Sequence, residues 1–283
     1  MSGIVWISSY PKSGNTWFRA FVANMTNTGA KEFDINNLGS GWMIKELVSS
    51  HYGYDVADLT AEELDNLLPD LYEQIARVEK NTQYIKTHDA YLTLPDGRPL
   101  IPNFRSRVLH IVRNPLDVAV SFAHHRGSSI DSTIEVMNNN NIGLNLETDR
   151  YSPQLRQRFL SWSAHVASWL DVKALPVLVI RYEDMQLRPL EIFSLAARFV
   201  GLSDDQRAIE NAIRLSDFKE LRKHEQAAAF HEKPEALSNF FREGRIGGWR
   251  NALTSKQVSQ IVNDHQIVMR HCGYLSVDNK LIY

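Results

Sequence analysis

The stretch from Ile4 to Met25 restricts the possible folds more than any other. An apolar run, Ile4-Val5-Trp6-Ile7, breaks into Ser9-Tyr10-Pro11-Lys12-Ser13-Gly14-Asn15-Thr16-Trp17. Apolar residues then recur at Trp17, Phe18, Phe21, Val22 and Met25 with helical spacing. A strand that feeds a helix through a tight loop carrying lysine and glycine builds an anion cradle. The first helical N–H groups have no partner within the helix, and the helix dipole adds partial positive charge beside them.

The loop is not a Walker A loop. That motif places lysine directly after the second glycine, followed by Ser or Thr. Here Asn15 follows Gly14, and Lys12 precedes it, so the ammonium approaches a bound group from the strand side. A nucleotide kinase or NTPase on a related scaffold is the alternative, and this spacing argues against it.

Further strands are read at 83–86, 107–112 and 177–181, separated by helical patterns. Arg107-Val108-Leu109-His110-Ile111-Val112 is a nearly continuous apolar run, the pattern of a buried parallel strand. The expected fold is α/β: a single domain over 1–283 with a central parallel sheet flanked by helices and a P-loop-like anion loop. Thr60-Ala61-Glu62-Glu63 reads as a capping box that starts a helix, with Pro69 ending it and opening the next. The region 26–58 reads as irregular, 127–150 as a mobile loop, and 153–172 as a helix. Two or three helices are expected after residue 184. Thr254 is placed to cap a last helix and Gly273 to terminate it.

Composition narrows the function. Net charge is −2, so a general nucleic-acid or membrane-surface binder is not indicated. No apolar run approaches the roughly 20 residues of a membrane span, and no secretory leader pattern is present. The lone Cys272 excludes an intrachain disulfide and fits a reducing compartment. A soluble, cytoplasmic protein is expected. His124-His125 has no companion ligand pair at zinc-like spacing, so no metal is expected.

Three strand ends carry charge: Lys12 after the first, Lys86 and His88 after the second, Arg113 after the third. In a parallel sheet these carboxyl ends share one edge, where ligands bind. Cations and an imidazole converging there suit a ligand with several negative charges and supply a base beside it.

Tyr10-Pro11-Lys12-Ser13-Gly14-Asn15-Thr16-Trp17 resembles the 5′-phosphosulfate loop of the cytosolic-type sulfotransferases, which use 3′-phosphoadenosine 5′-phosphosulfate (PAPS) as sulfuryl donor. Lys86-Thr87-His88 is similar to the family's Lys-Thr-His segment, and 112–121 to its 3′-phosphate segment. Arg181-Tyr182-Glu183-Asp184-Met185 and Arg242-x-Gly244-x-x-Gly247-x-Trp249 are similar to its two later blocks. These blocks occur in family order from residue 10 to 249. The short lead before the loop resembles the compact bacterial branch, which includes glycopeptide-antibiotic sulfotransferases.

The resemblance implies roles. Lys12 contacts the 5′-phosphate and the bridging oxygen, with Ser13, Gly14, Asn15 and Thr16 bonding the same phosphate. Trp17 stacks on adenine, and Tyr182, Ser216 and Phe218 lie on the adenine side. Arg113 and Ser121 hold the 3′-phosphate, and Ser121 also lies near Lys12, restraining hydrolysis. Arg242 and Gly244 complete the nucleotide site. Lys86 neutralises sulfuryl oxygens, and His88 is the general base. The implied partner is a small-molecule hydroxyl acceptor: an aromatic, lipid-like or natural-product alcohol. Trp42, Tyr52, Tyr54, Tyr91, Phe122 and Phe230 are candidates to line its slot.

Two departures stand out. The family commonly has Arg-Lys-Gly where this chain has Arg242-Glu243-Gly244, so Glu243 is expected to point away and Arg245 to supply the charge. The family's C-terminal dimer motif is not matched at Arg250–Ser259, so that dimer is not expected. A non-catalytic nucleotide-binding module is a third reading; the presence of both Lys86 and His88 argues against it.

Overall fold

A computed structural model describes residues 2–27, 33–38, 45–146, 152–228, 230–234, 239–241 and 244–283. In chain order the elements are β1 (Ile4–Ser9), α1 (Asn15–Thr26), α2 (Lys45–Tyr52), α3 (Ala61–Val78), β2 (Gln83–Thr87), β3 (Ser106–Val112), α4 (Pro115–Arg126), α5 (Ile130–Met137), β4 (Gly143–Leu144) and β5 (Gln157–Arg158). Then follow α6 (Trp162–Leu170), β6 (Val177–Arg181), α7 (Tyr182–Leu187), α8 (Pro189–Val200), α9 (Gln206–Leu215), α10 (Phe218–Ala227), a 3-10 turn (Gly248–Asn251) and α11 (Ser255–His271).

The main sheet is parallel, in the order β2-β1-β3-β6. β1 is central and buried along its whole length, and the pleat divides its side chains between two cores. Ile4 and Trp6 join Ile85, Val108, Leu64, Leu68 and Trp169 on one face. Val5 and Ile7 join Leu109, Ile111, Phe18, Phe21 and Phe193 on the other. Helices cover both faces, as a parallel sheet requires. A further core lies between α4, α6 and α11, around Leu116, Trp162, Val166, Ile261 and Met269.

Some expected boundaries move. Pro69 does not divide the helix. It withholds one backbone donor, but Leu64, Leu68, Leu71, Tyr72 and Ala76 form one continuous buried stripe against the sheet, and that burial outweighs the missing bond. The region 127–150 is not simply a loop: Ser129 caps α5 by accepting from the Ser132 N–H, and Ile134 and Met137 are buried. The helix expected over 153–172 is confined to α6. Before it the chain runs extended as β5, because Arg158 N–H donates to Asp89 (2.8 Å) and the Gln157 side chain accepts from the His88 N–H (2.7 Å). A short helix, α2, lies inside the region read as irregular, and four helices rather than two or three occupy 182–227. The last helix is as expected: Thr254 and Gln257 form a capping box, and Gly273 turns left-handed at φ 73°.

Candidate active site

The carboxyl ends of β1, β2 and β3 open into a cleft of about 860 Å³. Its floor is the loop between β1 and α1. Gly14 sits at φ 105°, and a Cβ there would lie 2.6 Å from the Tyr182 ring. Gly14 therefore serves both the turn and the close approach of Tyr182. Gly14→Ala is expected to cost about 1–3 kcal/mol in backbone strain and ring displacement. A lowered Tm together with a lost nucleotide-induced shift would show it; unchanged values would refute it.

No side chain caps α1. By contrast α3, α4, α5, α6, α9, α10 and α11 each have a capping side chain. Asn15, Thr16 and Trp17, the first residues of this uncapped helix, line the cleft, where an anion can take the place of a cap. The loop's side chains divide their duties. Asn15 is committed to the scaffold, donating to Ile7 O (2.8 Å) and Ser9 Oγ (3.3 Å). Ser13 is fully buried with an unpartnered hydroxyl and does not line the cleft.

Lys12 has the left-handed φ of 67°, uncommon for a residue with a Cβ. Arg113 holds it there: one guanidinium nitrogen donates to Lys12 O (2.9 Å) and the other to Arg245 O (3.1 Å). The same guanidinium stacks 4.3 Å from the Tyr182 ring centroid. The Lys12 ammonium lies 3.9 Å from the centroid of Phe240. Burial, with Arg113 and Lys86 nearby, brings its pKa down to about 7. A desolvated ammonium among cations gains more than a solvated one when a polyanion enters.

His88 follows β2. Its Nδ1 lies 2.7 Å from the Ser9 carbonyl oxygen, which can only accept, so Nδ1 carries the proton and Nε2 the lone pair. Burial foremost, then Lys86, holds its pKa well below the ordinary imidazole value, so the ring is neutral at pH 7. β5 steadies it through Gln157.

The other expected residues fall into place unevenly. Thr16, Trp17, Lys86, Ser121, Tyr182, Phe218, Gly244 and Arg245 line the cleft. Trp17 meets Tyr182 edge-on at 5.7 Å. Gly244, at φ 61°, leaves room for Phe218, which a Cβ would approach to 2.7 Å. Ser216 does not line the cleft: it is buried, and its hydroxyl donates to Ala212 O (2.8 Å). Arg242 and Glu243 lie outside the described residues, as does Trp42. The expected aromatic wall is mostly different. Tyr52 bonds Leu67 O, Tyr54 is exposed, Tyr91 packs on Trp169, and Phe230 is buried behind Phe240 and Phe241. Of the expected wall Phe122 lines the cleft, joined by Phe159, Phe240 and Phe241.

Buried acids to which the sequence assigns no role hold the walls. Asp117 accepts from the N–H groups of Gly247 (2.7 Å) and Trp249 (3.0 Å). Glu183 accepts from Asn114 N–H (3.0 Å) and Tyr274 OH (2.8 Å). Glu225 accepts from the N–H groups of Phe240 and Phe241. Asp117 had a sequence signal: it is an acid inside the apolar run from Leu116 to Val120. Among the described residues, no group of three His, Cys, Asp or Glu could hold a metal ion, and no helix is long and apolar enough to cross a membrane.

The sequence model of the sulfotransferase domain matches residues 3–273. Cytosolic sulfotransferase 17 of Arabidopsis thaliana is 26% identical over 95% of this chain and 75% of its own length. Flavonol 3-sulfotransferase of Flaveria bidentis is 25% identical over 91% of this chain and 78% of its own. In fold, the chain superimposes on a mouse sulfotransferase complexed with PAP with a TM-score of 0.61 at 20% identity, covering 95% of this chain and 85% of that one. A retinol dehydratase in complex with androsterone and PAP gives 0.63 at 18% identity, covering 99% and 82%. With the domain match spanning residues 3–273 and the anion loop and cleft at the sheet's carboxyl edge, the protein is an enzyme of the PAPS-dependent sulfotransferase family.

Proposed function

We propose that this enzyme transfers the sulfuryl group of PAPS to the hydroxyl of a small-molecule acceptor, with His88 as general base and one catalytic domain spanning 1–283. The observation that carries the base assignment is the Nδ1 contact with the Ser9 carbonyl, which leaves Nε2 unprotonated at the cleft. Nε2 accepts the acceptor's hydroxyl proton as that oxygen bonds to sulfur. The bond from sulfur to the bridging oxygen breaks, and its electron pair stays on the departing 5′-phosphate. Lys12 and the uncapped α1 N–H groups stabilise that charge, and Lys86 neutralises sulfuryl oxygens. Arg113, Ser121 and Gly244 bind the 3′-phosphate end, while Trp17, Tyr182 and Phe218 enclose the base. The residues fit such a polyanion: Lys12 and Lys86 both have pKa values lowered by burial and by neighbouring cations.

The acceptor end is walled by Phe122, Phe159 and Phe240, which favours an aromatic or lipid-like alcohol over a free sugar. Relatives named cytosolic sulfotransferases support a cytoplasmic location. Two measurements test the reading. PAP at a hundredfold excess over its Kd should stabilise the protein by about 2.7 kcal/mol, seen as a thermal shift of several degrees, and ATP with Mg²⁺ should do far less. A screen of phenols, alkyl alcohols, sugars and natural-product alcohols with PAPS, read by mass spectrometry, should yield a product heavier by one sulfuryl group. A larger shift with ATP and Mg²⁺ would overturn the donor assignment in favour of the kinase or NTPase alternative.

A further inference from the structure

Glu232 belongs to none of the family blocks, yet it lines the cleft. It stands in the short segment between α10 and the Gly244 turn, and its side chain is only 8% exposed. Oε1 accepts from Arg19 Nη1 at 2.7 Å and Oε2 from Lys86 Nζ at 3.0 Å. Arg19 projects from α1 one turn beyond Asn15, is buried, and does not itself line the cleft. The carboxylate thus ties the helix that cradles one anion to the lysine at the end of β2.

A cleft that admits a polyanion gains nothing in affinity from a carboxylate, and a buried ion pair is a poor source of stability. The arrangement has a geometric use. A lysine is a point charge on a flexible four-carbon stem. Lys86 must hold its ammonium at one place while Lys12 and Arg19 repel it from the loop and α1 sides. Arg19 fixes one carboxylate oxygen, so the other presents a fixed acceptor to Lys86. We propose that Glu232 is a positioning residue for sulfuryl transfer: anchored by Arg19, it aims the Lys86 ammonium into the reacting end of the cleft. The inference rests on the reading that Lys86 serves the transferred group.

The charged groups facing this cluster are Arg19 on α1, Lys12 in the loop, Arg113 after β3, His88 after β2, His125 on α4 and Glu225 on α10. Burial opposes ionisation of Glu232, but Lys86 and Arg19 outweigh it and hold the carboxyl at about 2, so Glu232 is charged throughout the working range. Lys86 is pulled down by burial and by Arg19, and Glu232 is the group that raises it.

Glu232→Gln removes the charge at nearly constant shape. It is expected to lower kcat about tenfold or more, leave the thermal shift with PAP intact, and return part of the rate in Glu232→Asp. A second readout needs no turnover: pulse acetylation of the donor-free protein across pH, with Lys86 followed by mass spectrometry. Glu232 is the group that raises the Lys86 pKa, so the Lys86 reactivity midpoint should move to lower pH in Glu232→Gln. If the single change unfolds the protein by stranding Arg19, the Arg19→Met/Glu232→Gln pair removes both charges and should show the same loss of kcat, with a smaller fall in the Lys86 midpoint because Arg19 no longer pulls it down. Unchanged kcat with an unchanged Lys86 midpoint would overturn the proposal. So would tighter PAP binding at unchanged kcat, which would make Glu232 an occupant displaced by donor. If the wild-type protein transfers sulfuryl to no acceptor, the functional reading fails, while the acetylation midpoint still decides whether Glu232 governs Lys86.

Discussion

A His88→Ala enzyme is expected to turn over roughly 10²–10⁴ times more slowly while still showing the full thermal shift with PAP. The two halves of this expectation have separate physical sources. His88 meets the protein through Nδ1 and its own N–H, both spent on Ser9 and Gln157, so its removal leaves the loop, Lys12 and Arg113 in place. What disappears is the lone pair on Nε2. Burial and Lys86 keep that lone pair unprotonated well below the ordinary imidazole range. The acidic limb of kcat/KM for the donor, which reports the free enzyme, should therefore lie below pH 6.5, the usual imidazole value. Near-normal turnover in His88→Ala would remove His88 from the role of base. A midpoint near 6.5 in the wild type would show that the ring is solvated rather than enclosed.

Lys12→Met should lower turnover by roughly 10²–10³ and change the proton balance of nucleotide binding. Methionine keeps the apolar stem that rests against Phe240, so packing is largely conserved. In the free protein Lys12 titrates near 7 rather than 10.5 because it is buried among Arg113 and Lys86. At pH 8 it is mostly neutral, and a polyanion bound beside it restores the charge. PAP binding should then take up as much as about one proton, and affinity should weaken as pH rises above about 7. Lys86, lowered for similar reasons, adds in the same direction. Calorimetry at pH 8 in buffers of different ionisation enthalpy measures the uptake directly. Lys12→Met should lose the part with a midpoint near 7; undiminished uptake would show that Lys12 is charged before the ligand arrives. The same shift acts on folding. Below the folded midpoint near 7 the protonated lysine is disfavoured in the native state, so from about 7 to 10.5 the donor-free protein gains stability from this residue as pH rises.

The skeleton of this site was legible because it is written in contiguous residues. Each cationic or imidazole group stands at or shortly after the end of an apolar run, so recognising the strand also placed Lys12, Lys86, His88 and Arg113 at one edge. Gly14 was legible for the same reason, since a tight loop before an uncapped helix requires it. Glu232 and Glu225 were not. Glu232 acts on Arg19 across 213 residues and Glu225 on backbone N–H groups 15 and 16 residues on, and nothing beside either in the chain marks the pairing. The aromatic wall failed in the same way. Tyr52, Tyr91 and Phe230 have the composition of a binding slot, but their rings are taken up by α3, Trp169 and the Phe240-Phe241 pair. Pro69 and the residues before Trp162 show local preference yielding to what neighbouring elements require: a buried stripe in one case, hydrogen bonds for His88 and Asp89 in the other.

The central position of β1 carries a consequence for how the chain is made. Its neighbours lie far downstream: Ile4 pairs with Gln83 on one side and with Ser106 on the other. During synthesis at about 5–20 residues per second, the run Ile4-Val5-Trp6-Ile7 emerges with no strand to pair with. On the order of 4–16 s passes before residue 83 is even joined. Through that interval a strand destined to be buried on both faces is open to other chains and to chaperones. Parallel pairing at such separations is also slow to form. The loop between β1 and α1 is thus made long before it is braced, since Arg113 and the carbonyl of Arg245 must both arrive before Lys12 is held in its left-handed turn.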